Sequence, residues 1–268
     1  MTANDYVHGY SGREVERLRD QANTLAELLH HDTFFPPGST VLEAGCGIGA
    51  QTVILAGKSP QAHFTSLDIS PTSLETARHS VLAQGLSNVS FHLADIFNLP
   101  FEADRFEHIF VCFVLEHLPR PLEALRHLKA VLKPGGTITV IEGDHASAYF
   151  YPESRQAQQV IDCLVKIQAA AGGNAYIGRQ LYPLLRQVGF REVHVSPRQV
   201  YVDSSRPAWV EGFTRNTFTA MVEGAREQAL GRQLVDAETW ERGISDLYAT
   251  AGEDGTFNYT FFKSVAIK

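Results

Sequence analysis

The sequence places an acid and three glycines between an apolar run and a helical pattern. Residues 41–49 read V-L-E-A-G-C-G-I-G, and two further acids, Asp68 and Asp95, close the next two apolar runs along the chain. Glycines let a backbone turn sharply and approach a ligand closely, and the helix that follows them offers unpaired N–H groups. A carboxylate can accept hydrogen bonds from two neighbouring hydroxyls. Together these residues predict a binding site for a nucleotide-like ligand.

Four further ionisable side chains follow the fourth and fifth apolar runs and are candidates for a general base. They are Glu116, His117, Glu142 and His145. A base assists a reaction when the reacting group is a hydroxyl or an acidic carbon. His145 is the preferred candidate, followed by Glu116 and His117, and the pattern by itself leaves the catalytic residue unassigned.

Alternating strand and helix patterns place these residues at the ends of strands. Short apolar runs predict strands, and apolar residues at helical spacing predict the helices between them. The predicted strands are 40–44, 63–68, 89–94, 108–113, 137–141, 191–202 and 256–267. Such alternation predicts βαβ units, a mostly parallel sheet and right-handed crossovers. Residues 204–250 have a mostly helical pattern.

Capping residues mark the beginnings of two helices. Ser11 begins an S-x-x-E capping box at the start of a helix predicted over residues 11–30. Ser70 can cap a later helix, with Pro71 in its first turn and Gly85 just past its end.

Composition and charge restrict the class of protein. The chain has 268 residues, 44% hydrophobic and 20% charged, which is typical of a globular protein and excludes collagen, coiled coil and general disorder. With 30 acidic against 23 basic residues the net charge is -7, which disfavours nucleic acid and anionic lipid as partners. The three cysteines lack C-x-x-C spacing, so we expect neither a disulfide framework nor a metal site.

The sequence shows no pattern for membrane insertion or secretion. Its longest apolar run, residues 109–115, is far shorter than the roughly 20 residues that cross a bilayer. The first ten residues, M-T-A-N-D-Y-V-H-G-Y, show no signal-peptide pattern. We therefore expect a soluble, cytoplasmic protein without a membrane span, whose oligomeric state stays open.

Five motifs follow one another in the first half of the chain. They are E-x-G-x-G-x-G at 43–49, L-D-I-S at 67–70, A-D-I at 94–96, the stretch 106–118 and L-K-P-G-G at 132–136. In order and spacing the chain resembles the class I S-adenosylmethionine-dependent methyltransferases, strongly over residues 37–145 and more loosely over 178–202 and 256–267. The resemblance implies an α/β, Rossmann-like, doubly wound fold with a seven-stranded, mostly parallel sheet, an antiparallel final strand and helical lid insertions.

The resemblance also implies a cofactor, a reaction and a set of cofactor-binding residues. The cofactor is S-adenosyl-L-methionine, and the reaction is methyl transfer to carbon, nitrogen or oxygen of a small organic acceptor. The implied binding residues are Tyr10, Glu43, Gly45, Gly47, Gly49, Asp68, Ile69, Asp95, Ile96, Cys112 and Phe113. The glycines would pass beneath the cofactor, Glu43 would lie near its methionyl ammonium, and Asp68 would bind both ribose hydroxyls.

Residues at the ends of three strands would bind the rest of the cofactor. Ile69 would pack on the adenine face, and Asp95 and Ile96 would meet the adenine edge. Cys112 and Phe113 would line the methionine and sulfonium region.

The resemblance divides the chain into a lid and a catalytic domain. Residues 1–35 would form an N-terminal helical lid, and residues 36–268 the methyltransferase domain, with helical insertions over the substrate at about 146–177 and 204–250. Tyr10 is favoured as the lid residue because it adjoins the capped helix and its ring can face a sulfonium cation. Aromatic residues of the insertions are candidates for an acceptor pocket, although packing explains most of them: Tyr149, Phe150, Tyr151, Tyr176, Trp209 and Trp240.

Two other functions remain open from the sequence. Gly45, Gly47 and Ala50 also satisfy the dinucleotide pattern G-x-G-x-x-A, with Asp68 at a suitable distance for a ribose, so a nicotinamide-dependent oxidoreductase is the first alternative. The second is an inactive, methyltransferase-like interaction module. Glu107 departs from the family pattern, which usually has aspartate there, but that position is normally structural.

Overall fold

The computed structural model describes residues 12–268, and a seven-stranded sheet lies at its centre. The strands are β1 Thr40–Ala44, β2 His63–Asp68, β3 Val89–Leu93, β4 Phe106–Cys112, β5 Leu132–Tyr151, β6 Arg191–Val202 and β7 Thr256–Ile267. Their order across the sheet is β3-β2-β1-β4-β5-β7-β6. The first five strands pair in parallel, and β7 is antiparallel to both β5 and β6. The predicted sheet, including its antiparallel final strand, is confirmed.

Helices connect the strands and cover both faces of the sheet. They are α1 Gly12–His30, α2 Ala50–Lys58, α3 Pro71–Ala83, α4 Pro121–Val131, α5 Arg155–Ala170, α6 Leu181–Val188, α7 Pro207–Trp209, α8 Ala220–Glu223, α9 Arg226–Gly231 and α10 Ala237–Ala249. A π-helix, Val210–Thr219, joins α7 to α8, and 3-10 helices form at Leu115–His117 and Ile177–Gln180. Apolar residues of α1, α2 and α5 pack in the core on one face, and those of α4 and α6 on the other. Because both faces are covered, the central strands are apolar on both sides.

β5 is much longer than its predicted range of 137–141. Its second half continues to Tyr151 and pairs with β7, so residues 146–151 belong to the sheet, and the helical insertion begins only at α5. The physical reason is a two-residue alternation. Phe150 stacks on Phe257 against the core, while Tyr149 and Tyr151 on either side of it are exposed.

The structure confirms the predicted residues at the two ends of α3. The Ser70 hydroxyl accepts a hydrogen bond from the backbone N–H of Ser73 at 3.2 Å, Pro71 is the first helical residue, and Gly85 beyond the helix has a φ of 67°. Ser11, the predicted cap of α1, lies outside the described residues.

Glu107 ties the beginning of β4 to its neighbours. Its carboxylate accepts hydrogen bonds from the Thr40 backbone N–H at 2.7 Å and from Lys133 Nζ at 3.0 Å. These contacts, the backbone one foremost, lower the pKa of Glu107 to about 2. The position is structural, as expected from the sequence, and glutamate fills it where the family usually has the shorter aspartate.

The helical segment between β6 and β7 packs against α1 and α5. Trp240 of α10 is completely buried there, and so are Phe213 and Phe218 of the π-helix, each at most 2% exposed. Within residues 12–268 no helix is long and apolar enough to cross a membrane.

Candidate functional site

The three glycines of the loop between β1 and α2 all have positive φ angles, of 78°, 53° and 78° at Gly45, Gly47 and Gly49. A Cβ at Gly45 would lie 2.5 Å from Cγ2 of Val114, and one at Gly49 would lie 2.9 Å from the backbone of Ala77 in α3. These two glycines are required by packing. Gly47 differs, because a Cβ there would meet no atom within 4 Å and the residue lines a cavity. Gly47 therefore leaves room for a ligand.

Asp68, at the end of β2, is hydrogen-bonded to this loop. Its Oδ2 accepts a hydrogen bond from the Gly47 N–H at 2.8 Å, and its Oδ1 accepts one from the Ser70 N–H at 2.9 Å. Each oxygen has a second lone pair, so the carboxylate can still accept from two ligand hydroxyls. Burial raises the pKa of Asp68, which also lines the cavity.

Glu43 lies beneath the loop and is 2% exposed. Its Oε2 accepts hydrogen bonds from Thr52 Oγ1 and Ser66 Oγ, both at 2.7 Å, which tie β1 to α2 and β2. Burial raises the pKa of Glu43 to about 6. Glu43 and Gly49 are the two described residues of the implied cofactor set that do not line the cavity, so a contact of Glu43 with an ammonium stays a prediction.

The predicted adenine-binding residues lie together on one side of the cavity. Ile69, Asp95 and Ile96 all line it. Oδ1 of Asp95 accepts a hydrogen bond from the Phe97 N–H at 2.9 Å, which fixes the carboxylate in a tight turn after β3. The carboxylate is half-buried and can accept a further hydrogen bond from a ligand.

Cys112 and Phe113, at the end of β4, line the cavity as well. Phe113 has a φ of 58°, a left-handed conformation that costs a residue with a side chain about 1–3 kcal/mol. The sharp turn is held by Glu142, whose Oε1 accepts from the Val114 and Leu115 N–H groups at 3.0 and 2.7 Å. Glu142 is completely buried and does not line the cavity, so it supports the turn and is not placed to act as a base.

The other candidate bases lie at the cavity wall. Glu116 and His117, in the 3-10 helix after β4, approach each other to 3.5 Å between Oε1 and Nε2. His145 is 4% exposed and its Nδ1 lies 2.8 Å from Oη of Tyr259 in β7. Burial lowers the pKa of His145, which keeps the imidazole neutral near pH 7.

One cavity of about 260 Å³ joins the glycine loop to an aromatic end. The aromatic end is formed by Phe213 and Phe218 of the π-helix and by Tyr259 and Phe261 of β7. The aromatic end contacts the end of β4, because the ring centroids of Phe113 and Phe261 are 5.3 Å apart. From α1 the cavity is lined by Arg17, Leu18 and Gln21. Tyr10 lies outside the described residues.

Most of the predicted cofactor-binding residues line this cavity. The aromatic residues that the sequence suggested for an acceptor pocket do not line it within the described chain; Tyr149 and Tyr151 are exposed and Trp240 is core. The aromatic lining residues of the π-helix, Phe213 and Phe218, are five residues apart, which is a weak signal within a helical pattern. In β7 the signal was stronger, because aromatic residues alternate from residue 257 to 261.

Known proteins resemble this chain in sequence and in fold. A family model for a methyltransferase domain matches residues 36–189. Methyltransferase GfsG of Streptomyces halstedii is 32% identical over 142 residues, covering 52% of this chain and 51% of that protein. The chain thus spans about half the length of the first curated relatives it matches.

Solved structures with the same fold have different chemistries in their descriptions. Phosphoethanolamine N-methyltransferase 2 of Haemonchus contortus, in complex with phosphomonomethylethanolamine and S-adenosylhomocysteine, aligns with a TM-score of 0.57 at 17% identity, covering 92% of this chain and 52% of that one. The [4+2]-cyclase SpnF aligns at 0.55 and 20% identity, covering 93% and 80%. At such identities the likeness concerns the fold, and the reaction has to be argued from the site.

Proposed function

The chain belongs to the class I methyltransferase-domain family, and on that premise we propose that it transfers a methyl group from S-adenosyl-L-methionine to a small organic acceptor. The observation that carries the proposal is a cavity that joins the glycine loop and the carboxylates of Asp68 and Asp95 to an aromatic end. The first part suits a polar nucleoside and the second suits an apolar reactant.

The residues present fit the cofactor. Open space at Gly47 leaves room for it above the loop, and Asp68 keeps lone pairs for the ribose hydroxyls. Ile69, Asp95 and Ile96 would take the adenine, and Cys112 and Phe113 the methionine and sulfonium region. When bound, the cofactor supplies a methyl carbon already activated by positive sulfur.

The protein's contribution would then be to position the reactants and to exclude water. A displacement at an activated carbon depends strongly on the distance and alignment of its two reactants. α1 and the π-helix contribute Arg17, Phe213 and Phe218 to the cavity wall, which supports this role. The net charge of -7 favours a small acceptor over nucleic acid.

The proposal is tested by cofactor binding. We expect S-adenosylhomocysteine to raise the melting temperature and NADPH to leave it unchanged. Stabilisation by NADPH in place of S-adenosylhomocysteine would support the oxidoreductase alternative. If the protein binds S-adenosylhomocysteine but transfers no methyl group from labelled S-adenosyl-L-methionine to any of a broad set of candidate acceptors, the inactive interaction module is supported.

A substitution at Asp68 tests the ribose site directly. Asp68→Ala removes two charge-assisted hydrogen bonds, worth about 3 kcal/mol together, so the Kd for S-adenosylhomocysteine should rise about 100-fold. The matched control is Asp254→Ala, at an exposed aspartate that does not line the cavity. Calorimetry that finds equal affinities for the two variants would refute the assigned role of Asp68.

A further inference from the structure

We propose that the methyl acceptor is an apolar molecule with a weakly acidic hydroxyl, that His145 removes its proton, and that Tyr259 positions His145 for this step. The inference rests on the proposed function and specifies the acceptor end of the same cavity. It is carried by the pair of His145 and Tyr259 at the aromatic end of the cavity.

His145 presents a nitrogen that has no partner among the described residues. Nε2 is buried and makes no hydrogen bond there, whereas Nδ1 lies 2.8 Å from the phenol oxygen of Tyr259. Both residues line the cavity. A buried polar atom without a partner is costly, so a ligand group that hydrogen-bonds to Nε2 gains the interaction that the protein lacks.

Tyr259 is placed to hydrogen-bond to the imidazole of His145 in both its neutral and its protonated form. Its hydroxyl can both donate and accept, so it can accept from Nδ1–H when the acceptor hydroxyl donates to Nε2. Gly143 leaves room for the phenol of Tyr259, because a Cβ at residue 143 would overlap the phenol oxygen. The backbone N–H of His145 donates to the Ala175 carbonyl at 2.9 Å, which fixes the histidine from the other side.

The surroundings of this pair favour an apolar acceptor. The Phe218 ring lies 6.2 Å from the His145 ring, and the Phe213 ring lies 5.9 Å from the Tyr259 ring. Apart from His145 and the two aspartates of the cofactor side, the acidic and basic side chains that residues 12–268 contribute to the cavity wall are Glu116, His117 and Arg17. Glu116 has Gln168 and His117 as polar neighbours, and Arg17 bonds to Gln21.

The charge balance around His145 suits a base that starts neutral. Burial lowers the pKa of His145 and outweighs every other influence on it. The ionisable groups that face it are Glu116 and Asp144, which favour the imidazolium, and His117 and Arg17, which disfavour it, beside the phenol of Tyr259. The carboxylates therefore stabilise the positive charge that forms only during the reaction.

The proposed step couples methyl transfer to the loss of the hydroxyl proton. The hydroxyl oxygen forms a bond to the methyl carbon, and the carbon–sulfur bond breaks with its electron pair going to sulfur. The hydroxyl proton moves to Nε2 of His145 and then leaves to solvent. The products are a methyl ether and S-adenosylhomocysteine, and no oxidant or metal is needed.

Acceptor chemistry is tested with matched probes on the full chain in the presence of S-adenosyl-L-methionine. We expect 1-naphthol to give its methyl ether, and 1-naphthylamine and 1-naphthoic acid, which share the ring system, to react at least 10-fold more slowly. Faster reaction of the amine or the acid, methylation at ring carbon, or no reaction of 1-naphthol by protein that binds S-adenosylhomocysteine would overturn the proposal. Failure to bind S-adenosylhomocysteine would instead defeat the proposed function.

The role of Tyr259 is tested by a double-mutant cycle. His145→Gln should lower the 1-naphthol rate by on the order of 100-fold or more, and Tyr259→Phe by about 10-fold, both with unchanged affinity for S-adenosylhomocysteine. Because Tyr259 acts through His145, Tyr259→Phe should have no further effect in the His145→Gln background. Tyr182→Phe, at a tyrosine 53% exposed on α6, is the matched control and should leave the rate unchanged.

The pH profile separates positioning from a structural effect. Loss of the phenol oxygen removes an acceptor for Nδ1–H and so disfavours the imidazolium. The acid limb of the rate should therefore move to lower pH in Tyr259→Phe. An unshifted limb, or losses that add in the double variant, would overturn the positioning role.

Discussion

Gly47→Ala separates what the glycine loop does for the fold from what it does for the ligand. Gly47 has a φ of 53°, and a Cβ there would contact no protein atom within 4 Å. The cost to the free protein is therefore only that of alanine in the left-handed region, about 1–2 kcal/mol, partly offset by the lower entropy of the unfolded alanine chain. We expect the melting temperature to fall by about 2–4 °C.

The effect on the ligand should be much larger. The new methyl group stands in the space above the loop, where an overpacked contact costs about 1–3 kcal/mol. The Kd for S-adenosylhomocysteine should thus rise roughly 10- to 100-fold, as measured by isothermal titration calorimetry.

The chain supplies a matched control for this experiment. Gly38 also has a positive φ, of 78°, and a Cβ there also meets nothing within 4 Å, but it does not line the cavity. Gly38→Ala should therefore have a similar melting temperature to Gly47→Ala and bind S-adenosylhomocysteine like the unmodified protein. If Gly47→Ala keeps its affinity, or if both variants lose it equally, the placement of the cofactor over Gly47 is wrong.

Three further substitutions test the supports of the site. Glu142→Ala leaves two buried backbone N–H groups unpaired and should lower the free energy of unfolding by about 3 kcal/mol in urea titrations, whereas Glu142→Gln keeps the accepting oxygen and most of the stability. The pKa of Glu107 is lowered in the folded state, so its contribution is present above its ordinary pKa and lost as the pH falls towards 2. Melting curves of Glu107→Gln and the unmodified protein should therefore differ at pH 7 and converge at low pH; a constant difference would contradict this role. Trp240→Ala should cost about 3–5 kcal/mol of stability in urea and leave the affinity for S-adenosylhomocysteine unchanged, because Trp240 is core and not cavity wall; a large loss of affinity would contradict that distinction.

Local signals were sufficient to predict most of the fold. Glycines, prolines and capping residues act over a few positions, and strand and helix periodicities repeat within one element, so the sequence carries them directly. The exception is β5, whose second half depends on pairing with β7 more than 100 residues later in the chain. Such long-range pairing leaves no local mark beyond a short alternation, so the sequence predicts a helical insertion from about residue 146.

That the candidate cofactor-binding residues share a cavity could also be anticipated, because they follow strands directly in the sequence. Asp68 ends β2, and Asp95 and Phe113 follow β3 and β4 within two residues; parallel strands bring their carboxyl ends to one edge of the sheet. The sequence alone thus determined the class of fold and the family, and it placed the candidate cofactor-binding residues at one edge of the sheet.

Only the tertiary structure decided which side chains form the other side of the cavity. It showed that Glu142, a candidate base, is a buried support of the turn after β4. It also placed His145 against Tyr259, 114 residues away in the chain. It also selected Phe213 and Phe218 as cavity wall and Trp240 as core. The physical reason is that packing between distant segments sets which side chains meet and which face the cavity. Composition and spacing record only that such side chains are present.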